Sequence, residues 1–328
     1  MSAETPVCQL LERQDADYSG WLWVAPPRDA WLEAGEGTLL TADQAVLAAW
    51  RARGRPAVSP LEAAPAAPPG AVLFWPKSHA LGEWWLLWLC ATLPPGAPLQ
   101  LVGEHQGGIK RVLRVLAALG LGCRKVDSAR RCTLFETRLD RVDLDPEAAW
   151  SRFEAEGLTL ASHPGVFGHG KLDDGTRLLL SQLPGRITAG SEVLDLGCGD
   201  GILAAWLARQ AARVTAVDVS HFAVEATRRT LVANGLDGEV LASDVYSALE
   251  ARRFDTIVSN PPFHQERAID YGPVGRLILE APAHLRPGGQ LLLVANAFLP
   301  YPDLLTRAFG GFEILADDRR FRVYAASA

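Results

Sequence analysis

Val193-Leu194-Asp195-Leu196-Gly197-Cys198-Gly199-Asp200-Gly201 decides the fold. An apolar strand runs into glycines at alternate positions, and a helix follows to about Ala211. Glycine lets the backbone pass close to a ligand and turn sharply into a helix. Gly-rich turns occur in many α/β folds, so three acids carry the reading further. Asp195 sits at the end of the strand, inside the motif. Asp218 ends the next strand, 17 residues after Gly201, where a carboxylate can accept both hydroxyls of a ribose. Asp244 ends the third strand, where a carboxylate can accept an adenine amino group. Val219 and Val245 directly follow these two acids and are counted with the same pocket. The pattern is D-x-G-x-G-x-G. A nicotinamide dehydrogenase needs G-x-G-x-x-G and a hydride-handling histidine, and neither is evident.

Outward from this motif, βα units repeat. Helices are expected over 172–183 and from Ser220 to Asn234-Gly235, and strands at Arg213–Val217, Glu239–Ala242 and Thr256–Val258. A helix over about 273–285 should stop at Arg286-Pro287-Gly288-Gly289 and lead into a strand at 291–295. Phe312–Leu315 and Phe321–Ala325 read as a closing antiparallel pair. The same grammar occurs earlier. Val72–Trp75 is a strand, 81–93 a helix, Leu99–Val102 a strand, and 109–119 a helix after a Gly-rich loop. This pattern implies doubly wound α/β sheets, with ligands at the carboxyl ends of the strands. The boundaries expected are 1–150 and 151–328. Residues 1 to about 60 have no readable pattern.

Asn260-Pro261-Pro262-Phe263 follows the fourth strand of the second domain, 65 residues after Asp195. An exocyclic amine on a base is a weak nucleophile, because its lone pair is delocalised. An Asn side-chain oxygen and a backbone carbonyl such as that of Pro261 can each accept one N–H. That aims the nitrogen and stabilises positive charge as it develops. Pro261 and Pro262 stiffen the loop, and Phe263 offers a face for a base taken out of its helix. Asn260, Pro261, Pro262 and Phe263 are therefore the candidate catalytic residues, with His264 a candidate wall of the acceptor pocket.

Composition bounds the rest. The chain has 328 residues, 48% hydrophobic and 21% charged, enough for two globular domains. Five cysteines are widely spaced with no C-x-x-C pair, which argues against a disulfide framework or a zinc site and for a reducing compartment. No metal is expected. The longest apolar run, Trp84–Leu93, is about half of the roughly 20 residues a membrane span needs. Its tryptophans Trp84, Trp85 and Trp88 are expected in the core. Residues 1–10 lack a basic region followed by an apolar stretch, so no signal peptide and a cytoplasmic location are expected. The net charge of −6 disfavours nucleic-acid binding in the mean. Its distribution does not. Between His105 and Arg141 nine cations face three carboxylates, within a domain that is otherwise acidic. Lys110, Arg111, Arg114, Arg130 and Arg131 are the candidate RNA contacts; a plain solvated face is the alternative. Arg319, Arg320 and Arg322 form a second basic group, beside Asp317 and Asp318.

The D-x-G-x-G-x-G loop resembles motif I of the class I S-adenosylmethionine-dependent methyltransferases. The resemblance implies that Asp195, Gly197, Cys198, Gly199, Gly201, Asp218 and Asp244, with Asn260, bind S-adenosylmethionine. Longer stretches narrow it. Gly165-Val166-Phe167-Gly168, Leu172-Asp173-Asp174-Gly175-Thr176-Arg177-Leu178-Leu179-Leu180 and Asn260-Pro261-Pro262-Phe263-His264 resemble the RsmC family of rRNA guanine-N2 methyltransferases. Ala295-Asn296-Ala297-Phe298-Leu299-Pro300-Tyr301-Pro302, Trp75-Pro76-Lys77-Ser78, Val102-Gly103-Glu104 and Lys125-Val126-Asp127-Ser128-Ala129-Arg130-Arg131-Cys132 do the same. The likeness covers roughly residues 70–326. It implies two tandem class I (Rossmann-like) methyltransferase-type domains, the N-terminal one degenerate. It also implies methylation of a guanine 2-amino group in 16S rRNA, nucleotide 1207, within the 30S subunit. A monomeric enzyme is expected. Gln265-Glu266-Arg267 departs from the family, where a glycine is expected in the loop. The rivals are a 23S guanine-N2 methyltransferase, a protein glutamine methyltransferase, and a cofactor-binding pseudoenzyme.

Overall fold

The computed structural model describes residues 2–62, 68–142, 145–261 and 272–328. The chain forms two units, Met1–Trp150 and Ser151–Ala328. The first carries helices α1 (Pro6–Glu12), α2 (Ala30–Ala34), α3 (Gln44–Ala52), α4 (His79–Thr92) and α5 (Val112–Ala118). Its strands are β1 (Trp21–Val24), β2 (Gly37–Leu40), β3 (Ala57–Val58), β4 (Ala71–Phe74), β5 (Pro98–Glu104), β6 (Arg124–Ala129) and β7 (Cys132–Arg138). They make one sheet in the order β3-β2-β1-β4-β5-β7-β6.

The second unit opens with a hairpin, β8 (Ser151–Ala155) and β9 (Leu158–Ser162). Its helices are α6 (Asp174–Leu180), α7 (Ile202–Arg209), α8 (His221–Ala233), α9 (Gly272–Glu280) and α10 (Tyr301–Phe309). The strands are β10 (Glu192–Leu196), β11 (Arg213–Asp218), β12 (Glu239–Ala242), β13 (Phe254–Ser259), β14 (Leu285–Asn296), β15 (Glu313–Asp317) and β16 (Phe321–Ser327). The sheet order is β12-β11-β10-β13-β14-β16-β15. Strand for strand this repeats the first sheet, so the chain is two copies of one α/β design.

Burial explains the strand sequences. β10 pairs in parallel with β11 and β13, so both its faces are covered. Alternate residues enter opposite cores: Val193 packs with Ile202 and Val214, while Leu194 and Leu196 pack with Ile257 and Leu291. β14 splits the same way, Leu292 and Val294 to one core, Leu291, Leu293 and Ala295 to the other. The sheet reverses its winding between β10 and β13, which opens a crevice at their carboxyl ends.

Two expectations need correction. Residues 1–60 are not structureless text: they supply α1–α3 and three strands of the first sheet. Those strands have four, four and two residues, too short to show a period, and are identified by burial of Leu22, Trp23, Leu39 and Leu40. Arg286-Pro287-Gly288-Gly289 is not simply a helix stop. It lies within β14, whose pairing with β13 jumps from Phe254↔Leu285 to Thr256↔Gln290. The extra residues loop out, with Gly288 at φ +77°. Trp84, Trp85 and Trp88 are buried on α4 as expected. Among the described residues, no helix is long and apolar enough to cross a membrane.

Gly201 caps α7 at φ +83°, and a Cβ there would lie 2.8 Å from the Thr227 Cα of α8. Gly201→Ala combines left-handed strain with overpacking, so it should cost about 2–5 kcal/mol. Thermal unfolding checks this; a melting temperature equal to that of the parent would contradict it.

Candidate active site

The glycine loop is built from backbone bonds at the end of β10. The N–H groups of Gly197 and Cys198 both donate to the Val217 carbonyl, at 2.8 and 3.0 Å. Gly197, Gly199 and Gly201 all have positive φ. A Cβ at Gly197 or Gly199 would meet nothing within 4 Å, so the loop faces open space there. Asp218 closes it from β11. Its Oδ2 accepts the Gly199 N–H at 3.1 Å and its Oδ1 accepts the Ser220 N–H at 2.8 Å. Each carboxylate oxygen has further acceptor capacity, which suits a diol. From α8, Thr227 Oγ1 donates to the Gly199 carbonyl (3.2 Å) and Thr230 Oγ1 to the Asp200 carbonyl (2.7 Å). These buried threonines were not singled out in the sequence. Their spacing, i and i+3 on one helix face, was the available signal.

The acceptor motif is tied to the same loop. Ser259, the last residue of β13, donates its hydroxyl to the Leu196 carbonyl at 2.6 Å. Asn260 then donates its Nδ2 to Asp173 Oδ2 (3.0 Å) and to Thr176 Oγ1 (2.7 Å). A carboxylate can only accept, so the nitrogen must face Asp173 and the oxygen must point away. That oxygen, Oδ1, is buried and has no hydrogen-bond partner among the described residues. A buried, unpaired acceptor costs about 1–3 kcal/mol, which an incoming N–H would recover. Asp173 also caps α6 by accepting the Thr176 N–H at 3.1 Å. The Leu172–Leu180 segment, quoted above only as a likeness, thus holds the acceptor asparagine. Asp173 and Thr176 were missed as functional residues, and the D-x-x-T cap was the signal for them.

Carboxylates crowd this end of the sheet. Asp195 is completely buried, and neither oxygen has a partner that meets hydrogen-bond geometry among the described residues. Burial pushes its carboxyl up to about 8; the Ala204 N–H pulls it partly back, and the charges of Asp218 and Asp200 add to the rise. Asp200 rises to about 6, mainly through burial, with a contribution from Asp173. A cationic ligand would relieve this repulsion. Open backbone at two glycines, a diol-accepting Asp218 and orphaned acid oxygens together fit a cofactor with a ribose and a positive charge.

The remaining expected residues are placed as follows. Val219 is an exposed apolar side chain beside Asp218. Asp244 lies two residues beyond the end of β12, and its Oδ1 is paired with Arg276 at 2.6 Å, so it meets a guanidinium as well as any adenine. Val245 is buried with φ +54°, which is rare for a β-branched residue and typical of strained functional turns. Cys198 is buried in the core, so only its backbone faces the loop. Gly201 answers to packing against α8. Pro261 follows Asn260 and is buried; Pro262, Phe263 and His264 lie outside the described residues. In the first unit, Lys110, Arg111, Arg114, Arg130 and Arg131 are all exposed. The first three occupy a 3-10 turn and α5, while Arg130 and Arg131 form the tip of the β6–β7 hairpin.

Residues 157–325 match the model of the Methyltransferase small domain, and residues 58–153 that of the Methyltransferase small domain N-terminal. The chain is 68% identical over 329 residues to the ribosomal RNA small subunit methyltransferase C of Chromohalobacter salexigens, covering 99% of this chain and 98% of that one. It is 45% identical over 258 residues to the protein of the same name from Escherichia coli (strain K12), covering 78% and 74%. The solved structure of the T. thermophilus 16S rRNA N2 G1207 methyltransferase (RsmC), in complex with AdoMet and guanosine, superposes with a TM-score of 0.88 at 32% identity. That match covers 99% of this chain and 92% of the other. Fold, tandem domains and sequence agree: this chain belongs to the ribosomal RNA small subunit methyltransferase C family.

Proposed function

We propose that this protein methylates the exocyclic 2-amino group of guanine 1207 in 16S rRNA, using S-adenosylmethionine. The observation that carries the reading is the Asn260 amide: its nitrogen is committed to Asp173 and Thr176, and its buried Oδ1 is left to accept an N–H. The cofactor supplies a methyl group on a sulfonium, open to in-line displacement. Gly197 and Gly199 would give it backbone access, Asp218 would take the ribose hydroxyls, and the acids Asp195 and Asp200 would favour a positive charge at this end of the sheet. Asn260 Oδ1 and the Pro261 carbonyl each accept one N–H of the guanine amine. The nitrogen lone pair is thereby aimed at the methyl carbon, and positive charge growing on nitrogen is stabilised. The N–C bond forms as the C–S bond breaks, and the methylated amine then sheds a proton to solvent.

The exposed cations of the first unit, Lys110, Arg111, Arg114, Arg130 and Arg131, serve as a phosphate-binding footprint. The enzyme works as a cytoplasmic monomer on assembled 30S subunits.

Incubation with labelled cofactor and undermethylated 30S subunits, 50S subunits and naked rRNA should place label on the 2-amino group of the 16S guanine. Label confined to 50S would overturn the choice of target. Asn260→Ala should lower kcat at least 100-fold, by loss of the positioned acceptor. Full activity in that variant would contradict the assignment. Reversing charge at Arg111, Arg114 and Arg130 together should weaken 30S binding and flatten its salt dependence; unchanged binding would exclude the footprint. The raised carboxyl of Asp195 sets a pH signature. Between about 4 and about 8 the folded protein keeps a proton that the unfolded chain releases, so stability falls as pH rises across that window. In ligand-free protein, the stability of the parent relative to Asp195→Asn should decline from pH 5 to 8. A pH-independent difference would show that Asp195 is ionised in the fold.

A further inference from the structure

We infer that Phe298 and the β15–β16 turn, with Arg319 and Arg320, hold the RNA strand beside the acceptor guanine; this rests on the function proposed above. Phe298 lies two residues beyond the end of β14 and is 67% exposed. It is not a loose side chain. The Leu299 N–H bonds back to the Asn296 carbonyl at 3.0 Å, Leu299 packs on the core, and Tyr301 is buried. A rigid turn thus presents one aromatic ring to solvent while its neighbours point inward.

The loop is joined to the arginine turn and to the acceptor site. The Ala297 N–H donates to the Arg320 carbonyl at 2.9 Å. Arg320 pairs with Asp174 at 2.8 Å, and Asp174 adjoins the Asp173 that holds Asn260. One bonded path therefore runs from the acceptor asparagine through the start of α6 to Phe298. The nearby acids pair with two of the three cations, Asp174 with Arg320 and Asp317 with Arg322. Asp317 accepts the Arg319 N–H and the Arg322 Nε–H, and Asp318 accepts the N–H groups of Arg320 and Phe321. Arg319 makes no ion pair among the described residues, and the Arg320–Asp174 pair is largely exposed, so a phosphate can replace it at little loss.

The first domain carries the same device. Cys132 pairs with Glu104 at the end of β5 as Phe321 pairs with Asn296 at the end of β14. The residue before each, Arg131 or Arg320, accepts the next backbone N–H, from His105 at 2.8 Å or Ala297 at 2.9 Å. Arg130 and Arg319 both have positive φ, at 51° and 73°. Arginine gains nothing from that conformation, which glycine or asparagine adopts more readily. The paired arginines occur at this turn in both copies, although the D-x-G-x-G-x-G loop is present in the second alone. Two cations beside an exposed ring suit single-stranded RNA, with phosphate on arginine and a base on phenylalanine.

The test uses the full chain and undermethylated 30S subunits. Phe298→Ala should raise KM for the subunit at least about fivefold, from loss of one stacked base, and leave cofactor affinity unchanged. Phe298→Trp should restore the parent KM. Arg319→Glu should reduce the slope of log affinity against log salt by about 0.7–0.9. Parent values of both KM and salt slope in Phe298→Ala and Arg319→Glu would overturn the inference while leaving the proposed function standing. If the parent protein neither binds nor methylates rRNA, both readings fail together.

Discussion

The second domain turns on one side-chain amide. Asn260 gives its nitrogen to Asp173 and Thr176 and thereby fixes where its oxygen points. Everything around it keeps that amide from rotating. Ser259 ties the end of β13 to the end of β10, so the acceptor residue and the glycine loop cannot drift apart. Asp173 holds Asn260 and caps α6 at once, so misplacing the asparagine would also fray a helix. An unpaired oxygen in a buried place is a liability in the resting protein and an asset only when a donor arrives.

The cofactor side follows the same logic with backbone in place of side chains. Three positive-φ glycines shape the loop, and bonds from Asp218, Thr227 and Thr230 hold its amides and carbonyls. Burial raises the carboxyls of Asp195 and Asp200, and repulsion among the acids that this arrangement gathers adds to the rise. The first domain has the same strand order without this machinery. After β1, the counterpart of β10, it reads Ala25-Pro26-Pro27-Arg28-Asp29 without a glycine, and β1 itself carries no acid to match Asp195. Fold and chemistry have separated there: the sheet persists because its core does, and its hairpin tip keeps its arginines.

Much of this was legible in the residues, for identifiable reasons. The β10 strand and its glycines, Asp218 and the Asn-Pro-Pro turn are local patterns, and local patterns survive without coordinates. The Asn260–Asp173 bond spans 87 residues, so no window of sequence could contain it. The strands of residues 1–60 are too short to show alternation, and their burial depends on partners elsewhere in the first sheet. The pairing of Asp244 with Arg276 is equally non-local, which is why an acid expected to meet only a cofactor also meets a guanidinium. Net charge misled for a related reason: a sum of −6 over the whole chain says nothing of where charges lie, and it hides the basic stretch between His105 and Arg141.

Asparagine-selective 15N labelling tests the central claim most directly, because the chain has only Asn234, Asn260 and Asn296. In the ligand-free protein, the Nδ2 protons of Asn260 should exchange slowly with water and lose that protection in Asp173→Ala. Nδ2 protons that exchange as fast as those of an exposed amide would show that Asn260 is not held by Asp173 and Thr176, and the account of the acceptor site would be wrong.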